Sequence, residues 1–100
     1  MARMYFTITG LDHRYGQAFL KPGMKVTLEK EPDNKTDSEA ILVKMEGLGP
    51  IGYVANSVYT RVRDSYSAGR LYDKIEDGCA GTILYILESG ALAFIEKEGE

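Results

Sequence analysis

Six short runs of largely apolar residues, each four to eight long and fenced by turn formers, limit this chain to a small β-rich fold. In the first, Met4, Phe6 and Ile8 alternate with Tyr5, Thr7 and Thr9. A period of two puts one side of a strand in a core and the other outward. Gly10 ends that run. After the turn Lys21-Pro22-Gly23, Met24, Val26 and Leu28 alternate with Lys25, Thr27 and Glu29. Ala40 to Met45 carries Ile41, Val43 and Met45 on one face, and Ile51 to Val54 follows the turn Gly47-Leu48-Gly49-Pro50. Ala80 to Leu87 and Ala91 to Glu96 complete the set, joined by a Glu88-Ser89-Gly90 hairpin loop.

One helix is predicted between the fourth and fifth strands. Asn56 or Ser57 can cap it. Val58, Tyr59, Val62 and Tyr66 fall within an arc of about 100° at helical spacing. Gly69 stands where such a helix stops. Residues 70–76 read as a polar connection with room for one more helical turn, and the last three residues are expected to fray. So many short strands must hide their edges, and closure is the simplest way. The expected fold is therefore mainly β with one or two helices: a small six-stranded OB-like or SH3-like β-barrel, with the helix plugging or flanking one end.

Length and composition narrow the function. One hundred residues suit one domain. The single cysteine, Cys79, cannot close an internal disulfide or build a zinc site alone, which suggests a reducing, cytoplasmic setting. No stretch approaches the roughly 18 apolar residues of a membrane helix, and the N-terminal residues do not read as a signal peptide. The net charge of −3 is uneven: residues 1–28 balance at +3 and residues 61–74 at +2, against −3 for residues 29–46 and −5 for residues 75–100. A chain with this balance does not coat nucleic acid indiscriminately, so any such contact is local and short.

Catalysis finds little support. His13 follows Asp12, but no nucleophile is assigned to them. Cys79, between Gly78 and Ala80, reads as a small buried hydrophobe. Asp33, Asp37 and Glu39 lack calcium-loop offsets, with Lys35 and Thr36 in the middle, and turn chemistry is the stronger reading. No glycine-rich phosphate loop occurs. The sequence thus predicts no enzyme, no metal and no cofactor.

The segment Gly10-Leu11-Asp12-His13-Arg14-Tyr15-Gly16 says more. Arginine pairs with phosphate through two parallel hydrogen bonds, and tyrosine offers a face on which a base can stack. An ordinary polar loop accounts for these residues equally well. Asn34 and Asp37 can likewise hold a turn through their own backbone. Tyr59, Tyr66 and Tyr72 are expected in the core or on the helix flank. Arg61 and Arg63 are expected to be solvated, with Arg61 placed to extend a basic rim.

Three stretches together resemble the HIRAN family: Phe6-Thr7-Ile8-Thr9-Gly10 leading to Arg14-Tyr15-Gly16, then Glu31-Pro32-Asp33-Asn34-Lys35-Thr36-Asp37-Ser38-Glu39-Ala40-Ile41-Leu42-Val43, then Ile51-Gly52-Tyr53-Val54. The middle stretch is the most specific. The family shows there an acid, Pro, a variable residue, Asn, usually Pro, a variable residue and Asp, followed by Asn-Ala-Ile and a valine. The similarity runs over about residues 4–97 and implies a compact barrel related to OB-folds with a DNA-binding role. Members occur fused to helicases and nucleases, making these the implied partners, and as stand-alone bacterial proteins, the type this chain resembles. In one eukaryotic member the domain recognises the 3′ end of single-stranded DNA.

By this resemblance, Arg14 and Tyr15 match the loop pair for backbone contact and base stacking. Asn34 and Asp37 match the polar residues facing the terminal nucleotide, and Tyr53 a lining position held by histidine in the helicase-type relative. There are two departures. Lys35 and Thr36 replace a Pro-Tyr pair, removing one aromatic wall. Asn56 stands where that relative has lysine, weakening one phosphate contact. The resemblance implies a module that binds single-stranded DNA, preferably at a 3′-hydroxyl end, in repair or processing. A second class of function also fits the net charge and the residue at Thr36: a protein-interaction module taking a peptide along an open barrel groove.

Overall fold

The computed structural model describes residues 2–11, 16, 18–57 and 59–97. Six antiparallel strands, β1 (Ala2–Thr9), β2 (Lys25–Glu31), β3 (Ala40–Met45), β4 (Gly49–Val54), β5 (Cys79–Leu87) and β6 (Gly90–Lys97), and one short helix, α1 (Ala68–Tyr72), make up the regular structure. The strands close into a barrel in the order β1-β4-β3-β2-β5-β6. The mainly β, six-stranded barrel expected from the alternation is therefore what forms. Closure gives every strand two neighbours, although β1 and β4 pair over only two residues. No helix among them is long and apolar enough to cross a membrane.

The alternating residues fill the interior. Phe6, Ile8, Leu28, Ile41, Val43 and Ile51 are fully buried and belong to one core cluster. β1 carries the longest pairing, from Ala2 opposite Lys97 to Ile8 opposite Ala91 on β6. Its other edge meets β4 only at its C-terminal end, where Ile8 faces Val54 and Thr9 faces Tyr53. The close approach there needs Gly52, because a Cβ on it would lie 2.5 Å from the Thr9 carbonyl oxygen. A register shift after Val43 lets β3 and β4 turn at Gly47 and Gly49, both at positive φ.

The region between β4 and β5 departs from the helix predicted from Asn56 or Ser57 to Gly69. None of the described residues in 56–67 is helical, and Gly69 lies inside α1 rather than after it. Ser67 is the N-cap, its hydroxyl accepting from the Arg70 backbone N–H at 3.3 Å. The first strand is the reason. The Val62 N–H donates to Thr7 Oγ1 at 2.8 Å, and the Tyr66 N–H donates to the Tyr5 carbonyl at 2.7 Å. Ser65 Oγ donates to the Val62 carbonyl, which leaves Thr7 as the donor in its 3.1 Å contact with Ser65 Oγ. A segment rich in Val, Thr, Tyr and Ser has weak helical preference, and these tertiary partners outcompete it. Asp64 takes φ +69, a left-handed conformation that ends any helical continuation.

Two side chains of this segment depart from their expected places along with the helix. Tyr59 is 93% exposed rather than packed. Arg61 is half-buried, its Nη1 donating to the Ser65 carbonyl at 2.6 Å, rather than solvated on a helix flank. Val58 lies outside the described residues. Tyr66 and Tyr72 do pack against the core as expected. α1 covers β3, burying Ala68 and Leu71 and, beneath them, Ala40 and Leu42.

Candidate nucleic-acid interface

The loop between β2 and β3 is organised by Asn34. Its Oδ1 accepts from the backbone N–H groups of Thr36 at 2.9 Å and Asp37 at 3.0 Å, while its Nδ2 donates to Glu31 Oε1 at 3.0 Å. Short polar side chains bond locally in this way because they reach the backbone two or three residues on. Asp37 continues the pattern: Oδ1 accepts from the Glu39 N–H at 2.9 Å. The turn-forming reading of both residues therefore holds.

The loop is not only a turn. Asn34, Thr36, Asp37 and Ala40 line a shallow open cleft of about 300 Å³ whose opposite wall is Tyr53 and Val54 of β4. Tyr53 donates its hydroxyl to Glu31 Oε1 at 2.8 Å, the oxygen that also receives the Asn34 amide. Asn56, just past β4, donates from Nδ2 to Asp37 Oδ2 at 3.2 Å and accepts the Gly69 N–H at 3.0 Å. Five residues singled out in the sequence, Asn34, Thr36, Asp37, Tyr53 and Asn56, are thus gathered at one place. Glu31 and Gly69 were missed as supports of it. Glu31 had been read only as the acid opening a motif, though its position at the end of an alternating strand beside a turn was a signal. Gly69 had been read as a helix terminus.

Arg14 and Tyr15 lie outside the described residues, as does His13. The segment that bears them leaves β1 immediately after Thr9, the residue opposite Tyr53. The Gly16 N–H donates to the Leu11 carbonyl at 2.7 Å. Gly10 and Gly16 take φ of +78 and +74, which glycine adopts without strain.

The cleft has a definite chemical character. Among the described residues lining it, Asp37 is charged and no cation is present. A carboxylate accepts hydrogen bonds and repels phosphate, so this cleft suits a hydroxyl donor. Tyr53 adds an aromatic wall. Thr36 adds a hydroxyl-bearing side chain to the lining.

Elsewhere, Cys79 is half-buried at the start of β5, and burial pushes its thiol up from the ordinary value, partly offset by Lys30. A thiol of that kind is a poor nucleophile. Among the described residues no three His, Cys, Asp or Glu side chains gather as metal ligands.

A family model described as the HIRAN domain matches residues 1–83. The crystal structure of the HIRAN domain of human HLTF superposes with a TM-score of 0.67 at 17% sequence identity, covering 93% of this chain and 72% of that one. No curated protein matches the chain.

Proposed function

The chain belongs to the HIRAN domain family, and on that premise we propose that it is a non-catalytic DNA-binding module whose cleft takes the 3′-hydroxyl end of a single strand. The observation that carries the reading is the convergence of Asn34, Thr36, Asp37, Tyr53 and Asn56 on one opening. At a terminal sugar the backbone ends in a hydroxyl, a hydrogen-bond donor, where every internal linkage presents an anion. Asp37 is the matching acceptor. It disfavours a 3′ phosphate or a continuing strand by charge. Tyr53 gives the terminal base or sugar a flat apolar surface. By the family resemblance, Arg14 and Tyr15 are assigned the cation and a further stacking face.

So few contacts give modest affinity, because binding to a strand scales with the phosphates neutralised and the bases stacked. The module therefore serves best by delivering an attached or associated helicase or nuclease to exposed ends during repair.

A titration with fluorescent oligonucleotides of one sequence, ending in a 3′ hydroxyl or a 3′ phosphate, tests this. The hydroxyl end is expected to bind at least about tenfold tighter, equivalent to one charge-assisted hydrogen bond exchanged for a repulsion. Equal affinities would remove the end-recognition claim. Asp37→Ala should erase the difference between the two ends, and Arg14→Ala should weaken both.

A further inference from the structure

A second cleft opens beside the first, and a single residue pair separates them. It encloses about 370 Å³, and its lining includes Thr9, Gly10, Tyr59, Thr60, Arg61 and Ser89. Thr9 and Tyr53 are directly opposed on β1 and β4. Opposed residues of an antiparallel pair share a face with Cβ atoms roughly 5 Å apart. Thr9 thus borders the second cleft and Tyr53 the first, side by side on one face of the sheet. One tight turn also joins the two. Asn56, bonded to Asp37, is followed by Ser57, whose side chain accepts from the Tyr59 N–H at 3.1 Å and whose carbonyl accepts from the Thr60 N–H at 3.1 Å.

The two clefts have opposite character. Where the first has Asp37, the second has Arg61 as the charged residue among its described lining, with the hydroxyls of Thr9, Thr60 and Ser89. Arg61 is anchored by Nη1 on the Ser65 carbonyl, and its Nε is buried with no hydrogen-bond partner among the described residues. A guanidinium has five N–H donors; with Nε buried and one Nη1–H given to Ser65, those left for an anion are on the two terminal nitrogens. At the lip stands Tyr59, 93% exposed, the most exposed of the large hydrophobic side chains described. An aromatic ring left in water costs free energy that a stacked flat partner recovers.

We infer that this second cleft binds the nucleotide preceding the terminal one, its base stacked on Tyr59 and its phosphate toward Arg61. The inference rests on the 3′-end reading of the first cleft. It also gives that reading a polarity: the hydroxyl end seeks the acidic cleft while the phosphate-bearing body of the strand crosses the Thr9–Tyr53 wall to the basic one. The site is sequence-tolerant, because every base has a face to stack.

The test is a titration of the full chain with 3′-hydroxyl oligothymidylates of one, two, three and about six nucleotides. Affinity is expected to climb steeply from one nucleotide to two or three. Tyr59→Ala should abolish that climb, weakening the longer strands roughly 5- to 150-fold, the value of one stacked base, while leaving the mononucleotide unchanged. Tyr59→Phe should preserve it. The near-complete exposure of Tyr59 keeps the alanine variant folded. Arg61→Gln should flatten the dependence of log affinity on log salt by about 0.7, one single-strand phosphate. If Tyr59→Ala and Arg61→Gln both bind the longer strands like the parent while Asp37→Ala loses end discrimination, the second site is overturned and the first stands. If the parent binds none of the oligonucleotides, both fall.

Discussion

Tyr53 and Asn34, on different elements, donate to the same carboxylate oxygen: Glu31 Oε1 receives the Tyr53 hydroxyl at 2.8 Å and the Asn34 amide at 3.0 Å. Glu31 therefore holds both walls of the cleft at their proposed working separation. Removing it in Glu31→Ala frees a half-buried amide and a half-buried phenol. The expected result is a loss of about 1–3 kcal/mol in urea denaturation, together with weaker oligonucleotide binding. Glu31→Gln retains an acceptor and should recover most of both. If Glu31→Ala changes stability alone, Glu31 does not position the site.

Asn56→Lys restores a cation at the rim of the cleft. An ammonium there can still donate to Asp37, and its charge faces any phosphate leaving the terminal sugar. The variant is expected to bind single strands more tightly and to steepen the salt dependence by about 0.7 per phosphate engaged. Isothermal titration at two salt concentrations reads both quantities.

Thr7→Val deletes a buried hydroxyl without changing shape. Thr7 is 2% exposed and ties β1 to Val62 and Ser65. The substitution leaves the Val62 N–H without its acceptor, at a cost of about 1–3 kcal/mol. For a domain of this size that lowers the melting temperature by roughly 4–8 °C per kcal/mol, readable by circular dichroism. Because the same segment carries Tyr59 and Arg61, the gain in affinity with strand length should also shrink.

Gly52→Ala should be strongly damaging for so small a change. Its new Cβ would sit 2.5 Å from the Thr9 carbonyl oxygen, and a backbone atom cannot step aside as a flexible side chain would. The β1–β4 pairing, already the shortest in the barrel, would open. We expect about 3 kcal/mol of destabilisation, the upper end for single substitutions, with the loss of amide protection at Ile8, Thr9 and Val54.

Cys79 should alkylate slowly. Burial raises its thiol above the ordinary value, so at about pH 8 a smaller fraction is thiolate than in a free cysteine. The sign for stability follows. A group with a raised folded-state value favours the fold below its unfolded value, and that contribution is lost as pH rises through the folded one. Iodoacetamide trapping against pH, in native and urea-unfolded protein, measures the displacement directly.

The resemblance found in the loop after β2 already drew Asn34, Asp37, Tyr53 and Asn56 together, but what they bond to was not legible. Asn34 and Asp37 announce a turn by residue type alone, and the turn is there. That Asp37 also reaches Asn56, and that Glu31 serves two partners, depends on β4 lying beside the loop, which no local pattern states. The predicted helix fails for the converse reason. Tyr59, Val62 and Tyr66 have helical spacing, but the Val62 and Tyr66 N–H groups donate to Thr7 and Tyr5, over fifty residues earlier in the chain, and the Tyr59 N–H to the Ser57 side chain. An arc of apolar residues cannot reveal that a strand from elsewhere will claim its N–H groups.

By itself, then, the sequence determined the strands and the fold class, because alternation with period two is a local consequence of the pleat and burial on one face. It also determined the turn chemistry of the β2–β3 loop, which short polar side chains impose on their own neighbours. Only the tertiary structure decided the order in which the strands close, that the described residues of 59–66 run as turns along β1, and that an acidic and a basic cleft lie on either side of Thr9 and Tyr53. Those outcomes depend on contacts between residues far apart in the chain, where closing the loop must be offset by packing that the sequence does not display one window at a time.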